Sequence, residues 1–160
     1  MTLPGGIIEA ERPLPDQAAT EAAAAGLARL CRPGDVFCLF GDLGAGKTTF
    51  ARGFLRALGI EDEIPSPTFN LLLTYDTDRG QVWHFDLYRL NAREEAIELG
   101  IDDAFADGIC LIEWPDRLGT WLPEQRIEIH LSDTHDGRAR HLRLRAMGPH
   151  AERWRAPLWP

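Results

Sequence analysis

The sequence predicts an α/β fold: a mixed, mostly parallel sheet joined by antiparallel hairpins, with helices on both faces. Three observations carry this. Residues 36–40 and 108–113 are short, continuous apolar runs, as strands buried on both faces require. Residues 16–30 and 48–58 are helix-forming stretches that sit between or beside such runs. Two further pairs of strand-like segments each flank a polar, glycine-ended turn.

In chain order, Ile7-Ile8 opens the fold as a short edge strand. Residues 16–30 are alanine-rich and helical, and Cys31-Arg32-Pro33-Gly34 ends them. The strand at 36–40 follows. In residues 48–58, Ala51, Phe54, Leu55 and Leu58 recur at helical spacing, and Gly59 caps the helix. Residues 61–67 form a loop with two prolines. Residues 70–75 and 81–86 make a hairpin around Asp76-Thr77-Asp78-Arg79-Gly80. Residues 93–99 and 102–105 read as short helices. Residues 126–131 and 141–145 make a second hairpin around Asp133-Thr134-His135-Asp136-Gly137. From Gly148 onward the segment contains Trp154, Trp159 and three prolines, and terminal disorder is the default expectation. The reading is of one domain over residues 1–160, with its core in about 7–145 and a tail at 148–160.

Between the first apolar strand and the second helix lies Gly41-Asp42-Leu43-Gly44-Ala45-Gly46-Lys47-Thr48-Thr49. This has the spacing G-x-x-x-x-G-K-[ST] in a strand–loop–helix setting, which defines a single P-loop nucleoside-triphosphatase domain. From average glycine usage, chance would supply such a match in roughly one chain of this size in a few hundred. Its backbone N–H groups form a nest for anionic oxygens, and the helix N-terminus adds positive potential. Lys47 supplies charge for the β- and γ-phosphates. Thr48 offers a hydroxyl to Mg²⁺.

Ile109-Cys110-Leu111-Ile112-Glu113 looks like the second half of the site, because ligands in open α/β sheets bind beyond the carboxyl ends of the strands. Glu113 there is a candidate for Mg²⁺; an ordinary solvent-facing strand end is the alternative. In His84-Phe85-Asp86-Leu87-Tyr88-Arg89, alternation puts His84 and Asp86 on one face. Asp86 could order or deprotonate an attacking water, or hold the metal's water shell. His84 reads first as a core histidine bonded to backbone. Arg89 either faces phosphate or pairs with a nearby acid. Ser66-Pro67-Thr68-Phe69 fits a segment sensing the γ-phosphate, with Ser66 and Thr68 supplying hydroxyls; a rigid inter-strand turn is the plain alternative. Trp114 covers the site, meets a partner or packs in the core. No Asn-Lys-x-Asp run reads guanine, so adenine is the better expectation.

Composition limits the other possibilities. The chain has 160 residues, 44% hydrophobic, and a net charge of −8, which argues against a general nucleic-acid binder. No run is long enough to span a membrane, and Met1-Thr2-Leu3-Pro4-Gly5-Gly6 does not resemble a signal peptide. Cys31, Cys38 and Cys110 lack metal-ligand spacing, which suits a reduced, cytoplasmic setting.

Taken together, the glycine-rich run at 41–49, Ser66-Pro67-Thr68-Phe69, His84-Phe85-Asp86-Leu87-Tyr88-Arg89-Leu90, Glu98-Leu99-Gly100-Ile101 and Leu111-Ile112-Glu113-Trp114 resemble the TsaE (YjeE) family of small bacterial P-loop ATPases. The resemblance covers about residues 7–145. It implies one Mg·ATP site, with Thr48 and Glu113 on the metal, Ser66 and Thr68 in a switch-like loop, and Asp86 important for turnover. It also implies that an N-terminal segment and a C-terminal arginine enclose the nucleotide, for which Asp16, beside Pro15, and Arg140 are the nearest candidates. The family serves threonylcarbamoyladenosine modification of tRNA with the partner proteins TsaD and TsaB, so contact with tRNA would be mainly indirect. The alanine-rich first helix and the tail depart from the family pattern.

With no arginine finger evident, slow hydrolysis by the chain alone is expected, since an added finger is worth about 10³–10⁵ in rate. Two rival readings remain at this level. A small-molecule kinase would use the same loop under an arginine-rich lid, but the arginines at 138, 140, 143 and 145 alternate as in a strand. A non-catalytic module would bind nucleotide to gate assembly.

Overall fold

The computed structural model describes residues 6–42, 44, 46–134, 136, 139–155 and 159. Seven strands form one sheet in the order β1-β7-β6-β2-β5-β4-β3. They are β1 (Ile7–Leu14), β2 (Val36–Phe40), β3 (Leu72–Thr77), β4 (Gly80–Asp86), β5 (Ile109–Glu113), β6 (Arg126–Asp133) and β7 (Arg140–Met147). The expected mixed α/β sheet is therefore present. Its centre, β6-β2-β5-β4, is parallel. The flanks are antiparallel, with β1 and β7 on one side and β3 on the other.

The two central strands are apolar throughout because both of their faces are covered. Phe37, Leu39, Ile109 and Leu111 point to one side, where α1 (Gln17–Ala28) and α2 (Lys47–Ala57) pack. Val36, Cys38, Cys110 and Ile112 point to the other, toward α4 (Ile101–Asp107) and a 3-10 segment, η1 (Pro115–Trp121). The short helix α3 (Glu94–Glu98) also lies on that side, through buried Ala96. The alanines of α1 have a packing role. A Cβ added at Gly53 of α2 would fall 2.7 Å from Glu21 Cα, so the two helix backbones approach closely and small residues are needed where they meet.

Two elements differ from the expectation. The first strand runs to Leu14 rather than ending after Ile8, because it pairs with β7 along its whole length, from Ile7↔Met147 to Leu14↔Arg140. The described residues after Gly148, 149–155 and 159, are ordered against the core where disorder was the default. A second 3-10 segment, η2 (Ala151–Arg155), buries Trp154 against Phe37 with ring centroids 5.6 Å apart. Arg153 Nη1 lies 2.6 Å from Asp35 Oδ1, and the Trp159 indole donates to Ala23 O at 3.0 Å. Aromatic burial and a bidentate ion pair to a buried carboxylate outweigh the ordering entropy of a chain end. On the other face of β1, β7 and β6, charged side chains pair across and along strands. Glu9 of β1 meets Arg145 of β7, and within β6 Glu128 meets its i±2 neighbours Arg126 and His130.

Candidate functional site

The parallel register of β4 and β5 sets Asp86 directly opposite Glu113, so two strand-end carboxylates arrive together beside the glycine-rich loop. Both are nearly buried, at 6% and 3% exposure. Burial on that scale requires partners. Glu113 Oε1 receives the Thr48 hydroxyl at 3.1 Å, and Glu113 Oε2 lies 2.7 Å from His84 Nε2. Asp86 Oδ2 accepts from Thr68 Oγ1 at 3.2 Å, and Oδ1 accepts from the Tyr88 N–H at 3.0 Å. Ser66 Oγ bonds Thr68 Oγ1 at 2.7 Å, tying the proline loop to the same carboxylate.

Lys47 opens α2 and is itself buried. Its ammonium donates to Gly41 O and, at 3.1 Å, to Asp42 O, and it lies 4.0 Å from the centre of the Trp114 ring. Burial pushes its pKa below the ordinary value; Glu113 and then Asp86, Asp42 and Asp116 oppose that shift. Trp114 reaches this position by adopting φ 59, ψ 51, a left-handed conformation uncommon for a bulky residue. It therefore serves as a cover over the lysine rather than as part of the deep core. Gly46, at φ 101, is the residue before α2. A Cβ there would meet Arg140 Cδ at 3.1 Å. Arg140 itself donates to Gly44 O at 2.8 Å and stands 3.5 Å from Asp133.

These residues enclose a cavity of about 210 Å³ lined by Gly44, Gly46, Lys47, Thr48, Thr49, Thr68, Asp86, Glu113, Trp114 and Arg140. The structure thus brings most of the sequence candidates to one place. Gly41 and Asp42 border it through their carbonyls on Lys47, and Ser66 reaches it through Thr68. Leu43 and Ala45 lie outside the described residues. Asp16 is not among the lining residues; its carboxylate caps α1 by accepting from the Ala19 N–H at 2.8 Å.

Two side chains behave differently from their expectations. His84 bonds a carboxylate, not backbone; β4 carries it inward beside Leu111 of β5, where the Glu113 side chain turns back to meet it. Its Nδ1 is buried with no hydrogen-bond partner among the described residues. Arg89 pairs with no acid among the described residues and is not among the cavity's lining residues: it is exposed and stacks on Phe69, 4.7 Å from the ring centre. A second hollow of about 470 Å³, lined by Phe40, Gly41, Asp42 and residues 130–133, opens on the other side of the loop. Its two stacked rings, Phe40 and His130, have centroids 4.5 Å apart, and no sequence motif announces it.

The donors fit a small hard cation. Thr48 and Glu113 present oxygen at one point, 3.1 Å apart. That suits an ion completing its shell with phosphate oxygens and water.

Comparison with known proteins matches this arrangement to a family model described as "Threonylcarbamoyl adenosine biosynthesis protein TsaE", over residues 14–142. The chain belongs to the TsaE family. The matched stretch holds every residue lining the cavity. A Bacillus subtilis protein named tRNA threonylcarbamoyladenosine biosynthesis protein TsaE is 42% identical over 111 residues, covering 69% of this chain and 69% of that protein. Its namesake from Treponema pallidum is 42% identical over 110 residues, covering 68% and 81%. One from Rickettsia felis is 44% identical over 106 residues, covering 66% and 62%. The crystal structure of Bacillus subtilis YdiB superposes with a TM-score of 0.80 at 32% identity, covering 95% of each chain. Among the described residues, no helix is long and apolar enough to cross a membrane.

Proposed function

We propose that the chain is an Mg²⁺-dependent ATPase acting as an accessory protein in threonylcarbamoyladenosine modification of tRNA at A37, in the cytoplasm. Its partners are proteins of the TsaD and TsaB type, and tRNA is contacted mainly through them. The observation that carries the chemistry is the meeting of Thr48 and Glu113 at 3.1 Å beside buried Lys47. The family and the names of its relatives support the pathway.

In this reading the loop's N–H groups bind the triphosphate, and Lys47 leaves the carbonyls of Gly41 and Asp42 to bind phosphate oxygens. Thr48 and Glu113 hold Mg²⁺, which supplies charge neutralisation on the phosphates. Asp86, oriented by Thr68 and the Tyr88 N–H, positions the attacking water. His84 keeps Glu113 aimed at Thr48 through its bond to the other carboxylate oxygen. Arg140 lines the cavity but is engaged by Gly44 O and Asp133, so faster turnover on partner binding is expected.

The test is ATP hydrolysis by the purified chain, alone and with TsaD and TsaB, with Lys47→Ala as the blank. Activity that rises with the partners and disappears in the variant is expected. Asp86→Asn should bind ATP and lose about 10²- to 10⁴-fold in turnover. ATP binding without hydrolysis in either setting would move the reading to a nucleotide-gated assembly factor, or to a kinase lacking its acceptor.

A further inference from the structure

We propose that a groove on the α3–α4 side is a docking site for a basic, amphipathic segment of a partner protein. The groove has a volume of about 310 Å³ and is lined by Ile97, Ile101, Asp102, Phe105, Leu118 and Trp121. Its floor is hydrophobic, and Ile97 is 50% exposed at its edge. A large apolar side chain left half in water beside further apolar surface gains from being covered.

Charge specifies what covers it. Residues 94–107 carry six carboxylates (Glu94, Glu95, Glu98, Asp102, Asp103 and Asp107) and neither lysine nor arginine. Five of the six are exposed, with Glu95 half-buried. Among the described residues, these six make no ion pair or side-chain hydrogen bond. Helix stabilisation accounts for part of the set, because Glu94, Glu95, Asp102 and Asp103 lie in first turns. It does not account for Glu98 and Asp107, each the last residue of its helix, where a carboxylate is disfavoured. Mutually repelling, unpaired acids on the two helices that line the apolar groove, with Asp102 in the lining itself, match a segment with an apolar stripe and lysine or arginine flanks. They disfavour an RNA backbone, which would be repelled. Arg93, stacked on the groove-lining Trp121 with its guanidinium 4.5 Å from the ring centre, offsets one of these six charges and leaves the region net acidic.

This docking does not depend on hydrolysis, so its test uses neither nucleotide nor transferase proteins. The probe is a short helix-forming peptide of leucine and lysine with one apolar face, titrated into the isotope-labelled full chain and followed by amide NMR. Shifts confined to residues 94–105 and 118–121 are expected. Ile97→Asp discriminates sharply, because it removes apolar contact while adding a negative charge. Groove docking predicts that affinity falls about tenfold. Glu98→Lys should also weaken binding, and an otherwise identical leucine–glutamate peptide should not bind. Both substitutions are at exposed positions, and unchanged melting temperatures will show that they fold. Equal or tighter binding by Ile97→Asp would reduce the site to bulk charge attraction and overturn the proposal. Shifts spread over other surfaces, absence of binding, or concentration-dependent shifts at the same residues without peptide would also overturn it; the last would mean that a second copy of the chain fills the groove.

Discussion

Lys47 carries a charge into the protein and rests it on two main-chain carbonyls and an indole ring. Burial lowers its folded pKa, so the unfolded chain holds that proton more tightly than the native one. The charged side chain therefore opposes folding at neutral pH, and its contribution improves as pH rises through the lowered folded pKa. A bound polyanion would reverse this by supplying the missing counter-charge. Mg·ATP at about a hundred times its Kd should add about 2.7 kcal/mol, raising the melting temperature of a chain this size by about 5–10 °C. In Lys47→Ala that shift should be absent, as read by scanning calorimetry with and without nucleotide. Retention of the shift would show that the anion site does not depend on Lys47.

The elements succeed or fail as pairs. The α1–α2 contact is a test of this, because Gly53 has no space for a methyl group against the Glu21 backbone. Alanine is the better helix former by about 1 kcal/mol, yet overpacking against main chain costs about 1–3 kcal/mol. Gly53→Ala should therefore be destabilised by up to about 2 kcal/mol in urea titration, and a stabilised variant would mean that the helices can separate. The sequence disclosed the features that depend on one element. Strand ends marked Asp86 and Glu113, loop spacing marked Lys47 and Thr48, and periodicity marked α2. It did not disclose what depends on register between elements. His84 finds Glu113 because β4 and β5 run parallel in a particular alignment, and β1 lengthens because β7 offers a partner along eight residues. Arg89 reaches Phe69 through loop geometry that no local pattern encodes.

At the scale of the whole molecule, the chain's last described turn completes the core on the α1–α2 side. Trp154 closes over Phe37, while Arg153 holds Asp35 and the Leu30 carbonyl. Order here was illegible because three prolines and scattered tryptophans have no period; it arises from a surface that only the folded sheet provides. A chain ending at Met147 should lose about 3–5 kcal/mol, comparable to deleting a buried tryptophan. Its melting temperature should fall by about 10 °C, and an unchanged value would make the turn dispensable. The 3-10 segment η1 has a wider consequence. It begins one residue after Trp114, which covers Lys47, and ends at Trp121, which lines the apolar groove. A few residues of main chain thus join the cavity beside Lys47 to the groove. Any free energy transmitted along them is reciprocal: whatever factor a docked segment imposes on nucleotide affinity, the nucleotide must impose on the affinity for that segment.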